Sequence, residues 1–354
     1  MRDPMILCPA RLEPVFSPRP WGSRSLAPLF PEKSNLAEPL GEAWMTGSDC
    51  RFGGGPFAGQ KLGDAWPKMP PEWTGTTVAR DGAFPVLVKF IFAEDKLSVQ
   101  VHPDDDYASR HERAAGGHGK TEMWYVLRAR PGAEVMVGLE SGVTLDTLKR
   151  AIADGTAENC LAHVPLSAGD AVFVPSGTAH TIGPGLVLCE IQQHSDITYR
   201  VYDYNRRDAQ GRARELHVEK ALEVIRFGKQ LGGKVAPVRI ERGALAETYY
   251  AACRYFAAEK WEFAKRIDAS ASPDHFDLLI FLQGGGAIQW GAERAAYAPA
   301  QVWLIPARLG KYRLAPDAPT SALRTYVPGD LTEFERHLAA RGASVKDSLR
   351  LVHR

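Results

Sequence analysis

Gly169-Asp-Ala-Val-Phe-Val-Pro175-Ser-Gly177-Thr-Ala-His180 is the stretch on which the reading of this chain turns. Gly169 opens a short apolar strand, Pro175 and Gly177 shape a tight corner, and His180 lands on the returning strand, pointing into the space the strands enclose. A second polar cluster lies upstream in Leu97-Ser-Val-Gln100-Val-His102, where alternation puts Ser98, Gln100 and His102 on one face. Glu122 directly precedes the apolar run Met123-Trp-Tyr-Val-Leu127. Two imidazoles, a carboxylate and an amide oxygen suit zinc or a similar divalent ion and leave room for water or substrate.

Working outward, short β-rich runs bounded by Gly and Pro dominate: 84–92, 97–101, 123–127, 135–137, 171–174, 187–191 and 198–202. Regular short strands with this punctuation predict a mainly β chain built as barrels or sandwiches. Helical pattern is sparse. Thr144 caps a helix whose apolar positions Leu145, Leu148 and Ile152 stop near Gly155, and a second helix spans about Glu215 to Phe227. A further β-rich set follows from about Tyr249 to Val327. In it, Gln301-Val-Trp-Leu-Ile-Pro306-Ala-Arg-Leu-Gly-Lys311 can be laid on Asp170 to His180 with Pro306 on Pro175, and Lys311 then falls at the place of His180. A hairpin of Leu278–Leu282 and Ala287–Trp290 echoes the strand at Met123 and its turn. The expectation is a duplicated barrel whose second copy has lost its metal ligands, with units at 1–235, 236–329 and a helical tail at 330–354. In that tail Asp330 is the N-cap, Leu331, Phe334 and Leu338 form the apolar stripe, and Gly342 is the stop.

With 354 residues the chain has room for two or three compact units. A net charge of +1, with no block of like charge and no basic stripe, argues against a nucleic-acid partner. No apolar run reaches the length of a membrane span, so no membrane partner and a cytoplasmic location are expected. Five cysteines, scattered and without a C-x-x-C pair, offer neither a disulfide framework nor a thiolate zinc site. The triple glycines at 53–55 and 284–286 lack strand-to-helix phosphate-loop context and read as turns.

The spacing G-x5-P-x-G-x2-H resembles the second metal-binding motif of the cupin superfamily. Four segments together go further: Lys96–Asp105, Gly119–Tyr125, Val174–His180 and Glu190–Arg206 resemble the short, bacterial form of the zinc-dependent mannose-6-phosphate isomerases. Gly41-Glu-Ala-Trp44 fits the same family, and the 58 positions between Glu122 and His180 leave no room for the large helical insertion of the long form. The resemblance implies two jelly-roll barrels, the second degenerate, and one Zn2+ per chain held by His102, Glu122 and His180 with Gln100 as a fourth ligand. It implies a small sugar phosphate as partner, in a monomer or weak homo-oligomer. Met123 departs from the family, which often has a smaller residue there, and the tail beyond Asp330 is longer than short members carry.

The same resemblance makes Arg200 the active-site arginine, and the chemistry agrees. Moving a proton between C1 and C2 of a phosphosugar develops negative charge on an enediol oxygen, which a fixed guanidinium stabilises. The bland alternative for Arg200 is a salt bridge on a sheet rim. Lys89, Ser98 and Lys120 are the positions implied to face the phosphate, with Lys120 also counted among the catalytic residues beside Arg200, against the alternative that the lysines are ordinary solvated ones. Glu190 is a candidate proton carrier or else a group that orients a ligand. The remaining histidines read mostly as surface or capping groups. Two other functions stay open on the sequence: an iron-dependent cupin oxygenase, which would favour a third histidine over Glu plus Gln, and a non-catalytic sugar-phosphate-binding cupin.

Overall fold

The computed structural model describes residues 6–78, 82–207, 210–228 and 232–354. Among them, a seven-stranded and a five-stranded antiparallel sheet close over one another as a first barrel. A nine-stranded and a four-stranded sheet form a second. The strand pair around the corner at Pro175 belongs to both sheets of the first barrel: Ala171–Val174 pairs with Glu122–Ala129 in one, and His180–Ile182 pairs with Val99–Val101 and Glu134–Leu139 in the other. Gly177, at φ +80°, makes this crossing; a Cβ there would lie 2.9 Å from Arg226 Cγ. Asp277–Gln283 and Gly286–Trp290 are likewise strands of opposite sheets and do not pair, so the expected hairpin is a barrel edge, as it is in the first barrel.

The large sheet of each barrel packs on that of the other. This is why its strands read as continuous apolar runs: Val86, Val88, Phe90 and Phe92 of Val86–Ala93 join Leu278, Ile280 and Leu304 in a core between the barrels, while Ile91 and Ala93 point into the first barrel. Met123 is fully buried in the inter-barrel core, so the departure at that position alters the seam between barrels. The alternate positions, Glu122 and Trp124, face inward. Two N-terminal strands extend the sheet of the second barrel, Ala10–Glu13 pairing onto Val302–Ile305 and Arg51–Phe52 pairing onto Ala10–Glu13 as the edge.

The internal echo holds residue by residue in the register. In the first barrel Glu122 stands opposite Val174, Trp124 opposite Glu190, Glu190 opposite Lys89, and Lys89 opposite Trp44. In the second, Asp277 stands opposite Ile305, Leu279 opposite Arg324, Arg324 opposite Glu259, and Glu259 opposite Tyr249. Lys311, however, is exposed. Tyr312, one residue on, is buried opposite Ala269, as His180 is opposite Gln100.

The helix at Leu145–Ala153 forms with Thr144 and Thr147 as a capping box. The one expected over 215–227 is shorter, Val218–Val224, ending where Ile225 turns extended. In the tail, Asp330 caps Leu331–Ala340 through the amide of Thr332, and a second helix, Val345–Leu351, is capped by Ser344. The chain then adds Val352–His353 in parallel to Leu245–Cys253. His353, expected at the surface, stacks on Phe173 with ring centroids 3.7 Å apart.

Candidate metal centre and active-site cleft

His102, Glu122 and His180 come from three strand ends and meet inside the first barrel, fully buried, with one ligand atom of each within 4.8 Å of the others. The local sequence forces this convergence. His180 sits opposite Gln100 across the ladder, and Glu122 ends the strand that pairs with Ala171–Val174 just before the corner. His102 Nδ1 donates to the carbonyl of Ile197 at 2.7 Å and His180 Nδ1 to that of Thr178 at 2.9 Å. Both bonds fix the tautomer that leaves Nε2 unprotonated with its lone pair facing inward, the form a metal requires. Burial holds both imidazoles neutral, His102 well below its ordinary pKa and His180 at about 4, and the nearby Lys120 ammonium acts the same way.

Glu122 lies between them: Oε1 is 3.3 Å from His180 Nε2, and Oε2 is 3.7 Å from His102 Nε2. Lys120 Nζ donates to Oε2 at 2.6 Å and to His102 Nε2 at 3.2 Å. Oε1 is buried without a hydrogen-bond partner. An orphaned carboxylate oxygen beside two inward-facing imidazole lone pairs is a donor set that fits a divalent ion. Gln100 reaches the same point, its amide nitrogen 3.2 Å from His180 Nε2 and its oxygen 3.5 Å from Ser98 Oγ. Turning the amide over would present its oxygen as a fourth ligand.

A cleft of about 440 Å3 opens from this centre and is lined by Lys89, Ser98, Gln100, Lys120, Glu190 and Arg200. The solvated alternative for the two lysines fails: Lys89 is 2% exposed and Lys120 4%. Burial alone would push the Lys120 ammonium down, but Glu122 and Glu190 outweigh it and hold the pKa above the usual lysine range. Glu190 accepts from Trp124 Nε1 at 3.2 Å and lies 3.8 Å from both lysines; burial raises its carboxyl above the ordinary value against that attraction. Arg200 stands opposite Gln100 in the ladder, tied by Nη1 to the carbonyl of Glu215 at 2.7 Å, with Nε buried and unpartnered. No carboxylate pairs with its side chain among the described residues, so it is not a rim salt bridge. Six of the nine residues singled out in the sequence line this cleft, and His102, Glu122 and His180 lie behind it against Lys120 and Gln100.

Three wall residues escaped the sequence reading. Arg19 donates to Glu42 Oε2 at 2.7 Å, and Glu42 also accepts from Trp44 Nε1 at 2.7 Å. Arg214 pairs with Asp203 and lines the opposite wall. Glu42 was within reach, since Gly41-Glu-Ala-Trp44 already stood out; Arg19 and Arg214 lie in segments whose fold no periodicity announces.

Residues 10–125 match the family described as phosphomannose isomerase type I, catalytic domain. The chain is 36% identical over 312 residues to the probable mannose-6-phosphate isomerase GmuF of Bacillus subtilis, covering 86% of this chain and 96% of that one. It is 39% identical over 228 residues to a mannose-6-phosphate isomerase of Streptococcus mutans, covering 64% and 70% of the two chains. The crystal structure of the mannose 6-phosphate isomerase from Bacillus subtilis superposes with a TM-score of 0.81 at 28% identity, covering 90% of this chain and 99% of that one. Coverage of nearly the whole length of the two Bacillus subtilis proteins, together with the buried His–Glu–His centre, places this chain in the type I mannose-6-phosphate isomerase family.

Proposed function

We propose that the chain interconverts mannose 6-phosphate and fructose 6-phosphate through a cis-enediol, with one Zn2+ held by His102, Glu122 and His180 and with Gln100 as fourth ligand. The observation that carries the reading is the orphaned Glu122 Oε1 between two inward imidazole nitrogens, at the floor of a cleft walled by Lys89, Lys120, Glu190 and Arg200. A divalent ion held by these residues would supply Lewis-acid polarisation to the sugar. The protein residues do the remainder. Arg200, whose Nε has no partner in the wall, donates to the oxygen on which charge develops as the proton leaves C2. Glu190, buried and with a raised pKa, takes that proton and returns it to C1 on the same face, while the hydroxyl proton of O2 passes to O1. Trp124 and the two lysines hold its carboxylate in place. Ser98, Lys89 and Lys120 grip the phosphate, which does not change during the reaction, so their contribution falls on binding. A basic lining suits a phosphorylated sugar and gives an oxygenase nothing to use.

The catalytic unit is proposed to be 1–235, with 236–329 as the degenerate barrel and 330–354 as its tail. A coupled assay of mannose 6-phosphate conversion, run on purified protein with and without chelator, tests the function. Turnover that chelator abolishes and zinc restores is the expected result; absence of turnover with saturating zinc overturns it.

A further inference from the structure

A cleft of about 1030 Å3 lies in the second barrel and shares no lining residue with the first cleft. It is built on the same plan as the first. Ile91, Glu42 and Glu190 line the first cleft, and the residues at their register positions, Trp261, Glu247 and Arg324, line the second. Glu42 is held by Arg19 from the N-terminal segment; Glu247 is held by Arg341 from the tail at 3.2 Å. The metal ligands have gone and the central ion pair is reversed: Asp277 remains where Glu122 stood, but Tyr312 and Ala269 replace His180 and Gln100, and Arg324 and Glu259 replace Glu190 and Lys89.

The cleft is not a filled relic. Arg324 Nε and Tyr312 Oη are buried without a hydrogen-bond partner, and both residues line the cavity. Arg324 is already fixed by Glu259 at 2.7 Å and Asp277 at 3.0 Å, so its remaining donor is preorganised. Over the whole wall cations and acids balance, but at Glu247 the cations are locally in excess. Arg242 and Arg341 share the single carboxylate of Glu247, and Lys311 has no ion pair among the described residues. The wall carboxylates of Asp268 and Glu333 are offset by Arg313 and Arg336, that of Asp330 caps a helix, and that of Asp274 accepts from Thr76 Oγ1 at 3.3 Å.

We propose that this cleft is a second ligand site, for an anionic polyhydroxylated metabolite of the sugar-phosphate class, closed on one side by the helix Leu331–Ala340 of the tail. Lys311 and Arg341 take the anion, and Tyr312 Oη with Arg324 Nε takes hydroxyl or ring oxygens. The site needs no metal and is independent of turnover in the first barrel. The choice of ligand class rests on the isomerase reading, whereas the existence of the site does not.

Equilibrium dialysis of the full-length zinc-loaded protein against labelled fructose 6-phosphate tests it. Two equivalents per chain are expected. Lys311→Gln with Arg341→Gln should remove one of them, and His102→Ala should remove the other. Lys311→Glu alone, at an exposed position, should weaken the second site at least tenfold with the fold untouched. Inorganic phosphate should compete at the second site and free mannose should not. A single equivalent that is indifferent to Lys311 and Arg341 overturns the proposal, as does equal competition by free mannose. If the lone equivalent instead vanishes with Lys311 and Arg341 and survives His102→Ala, the second site stands and the isomerase reading fails.

Discussion

At one and the same point of two duplicated barrels, this chain places opposite charges. Lys89 faces Glu190 across one ladder, and Glu259 faces Arg324 across the other. Beside each pair stands an acid at the strand end, Glu122 or Asp277. Each acid keeps one oxygen without a hydrogen-bond partner, Glu122 Oε1 and Asp277 Oδ2, but only Glu122 Oε1 has an imidazole nitrogen beside it, His180 Nε2 at 3.3 Å, and its cation is the Lys120 ammonium on the other oxygen. In the second barrel, the Arg324 guanidinium binds Glu259 and Asp277 together, between the rings of Trp261 and Tyr326. A guanidinium thus stands where a divalent ion would be the natural neutraliser. The difference shows that a barrel can lose metal chemistry by changing which side chain carries the positive charge, without losing the buried acid.

The largest expected effect separates the barrels most sharply. His102→Ala or His180→Ala should abolish both bound metal and turnover while circular dichroism stays native, because each removes one of three strong ligands from a barrel whose core does not depend on the ion. Full zinc and activity in either variant would undo the ligand assignment.

Arg324→Met should instead act on folding. Removing one member of a buried ion network leaves Glu259 and Asp277, both about 1% exposed, without their cation, at a cost of about 3–5 kcal/mol in denaturant unfolding. Loss of less than about 1 kcal/mol would show that Arg324 does not neutralise this cluster.

How far this contrast could be read in advance depends on what each residue needed. Alternation around Gln100 and His102, the corner at Pro175 and Gly177, and Glu122 before an apolar strand were local signals, and all three converge in space. The charge swap was not legible. Arg324 and Glu259 sit in strands whose sequence gives no sign of register, and only the ladder shows that they meet. Lys311 fell on His180 by counting from the proline, yet one extra residue in that corner turns Tyr312 inward. The N-terminal strands Ala10–Glu13 and Arg51–Phe52 were invisible for a related reason: short edge strands that pair far along the chain carry almost no periodic pattern.

Within the first barrel, Arg200→Ala should lower kcat by about two to three orders of magnitude with zinc content unchanged, the cost of deleting one preorganised donor. Arg200→Lys should recover little, since an ammonium does not reproduce the fork. Steady-state kinetics beside a metal measurement decides this, and near-normal kcat in the alanine variant would transfer the electrostatic role to Lys120.

The smallest expected effect is that of Ser98→Ala, which should raise KM for the phosphorylated sugar by about tenfold, the worth of one hydrogen bond to a charged group, with kcat nearly unchanged. A fall in kcat at constant KM would place Ser98 with the reacting atoms and not with the phosphate.

The asymmetry between the barrels is tested most directly by counting bound zinc per chain in the parent, in His180→Ala and in Asp277→Asn. One equivalent in the parent, none in His180→Ala and one in Asp277→Asn is the expected result, because the acid of the second barrel is committed to Arg324. Two equivalents in the parent, or one that survives His180→Ala and disappears in Asp277→Asn, would contradict it.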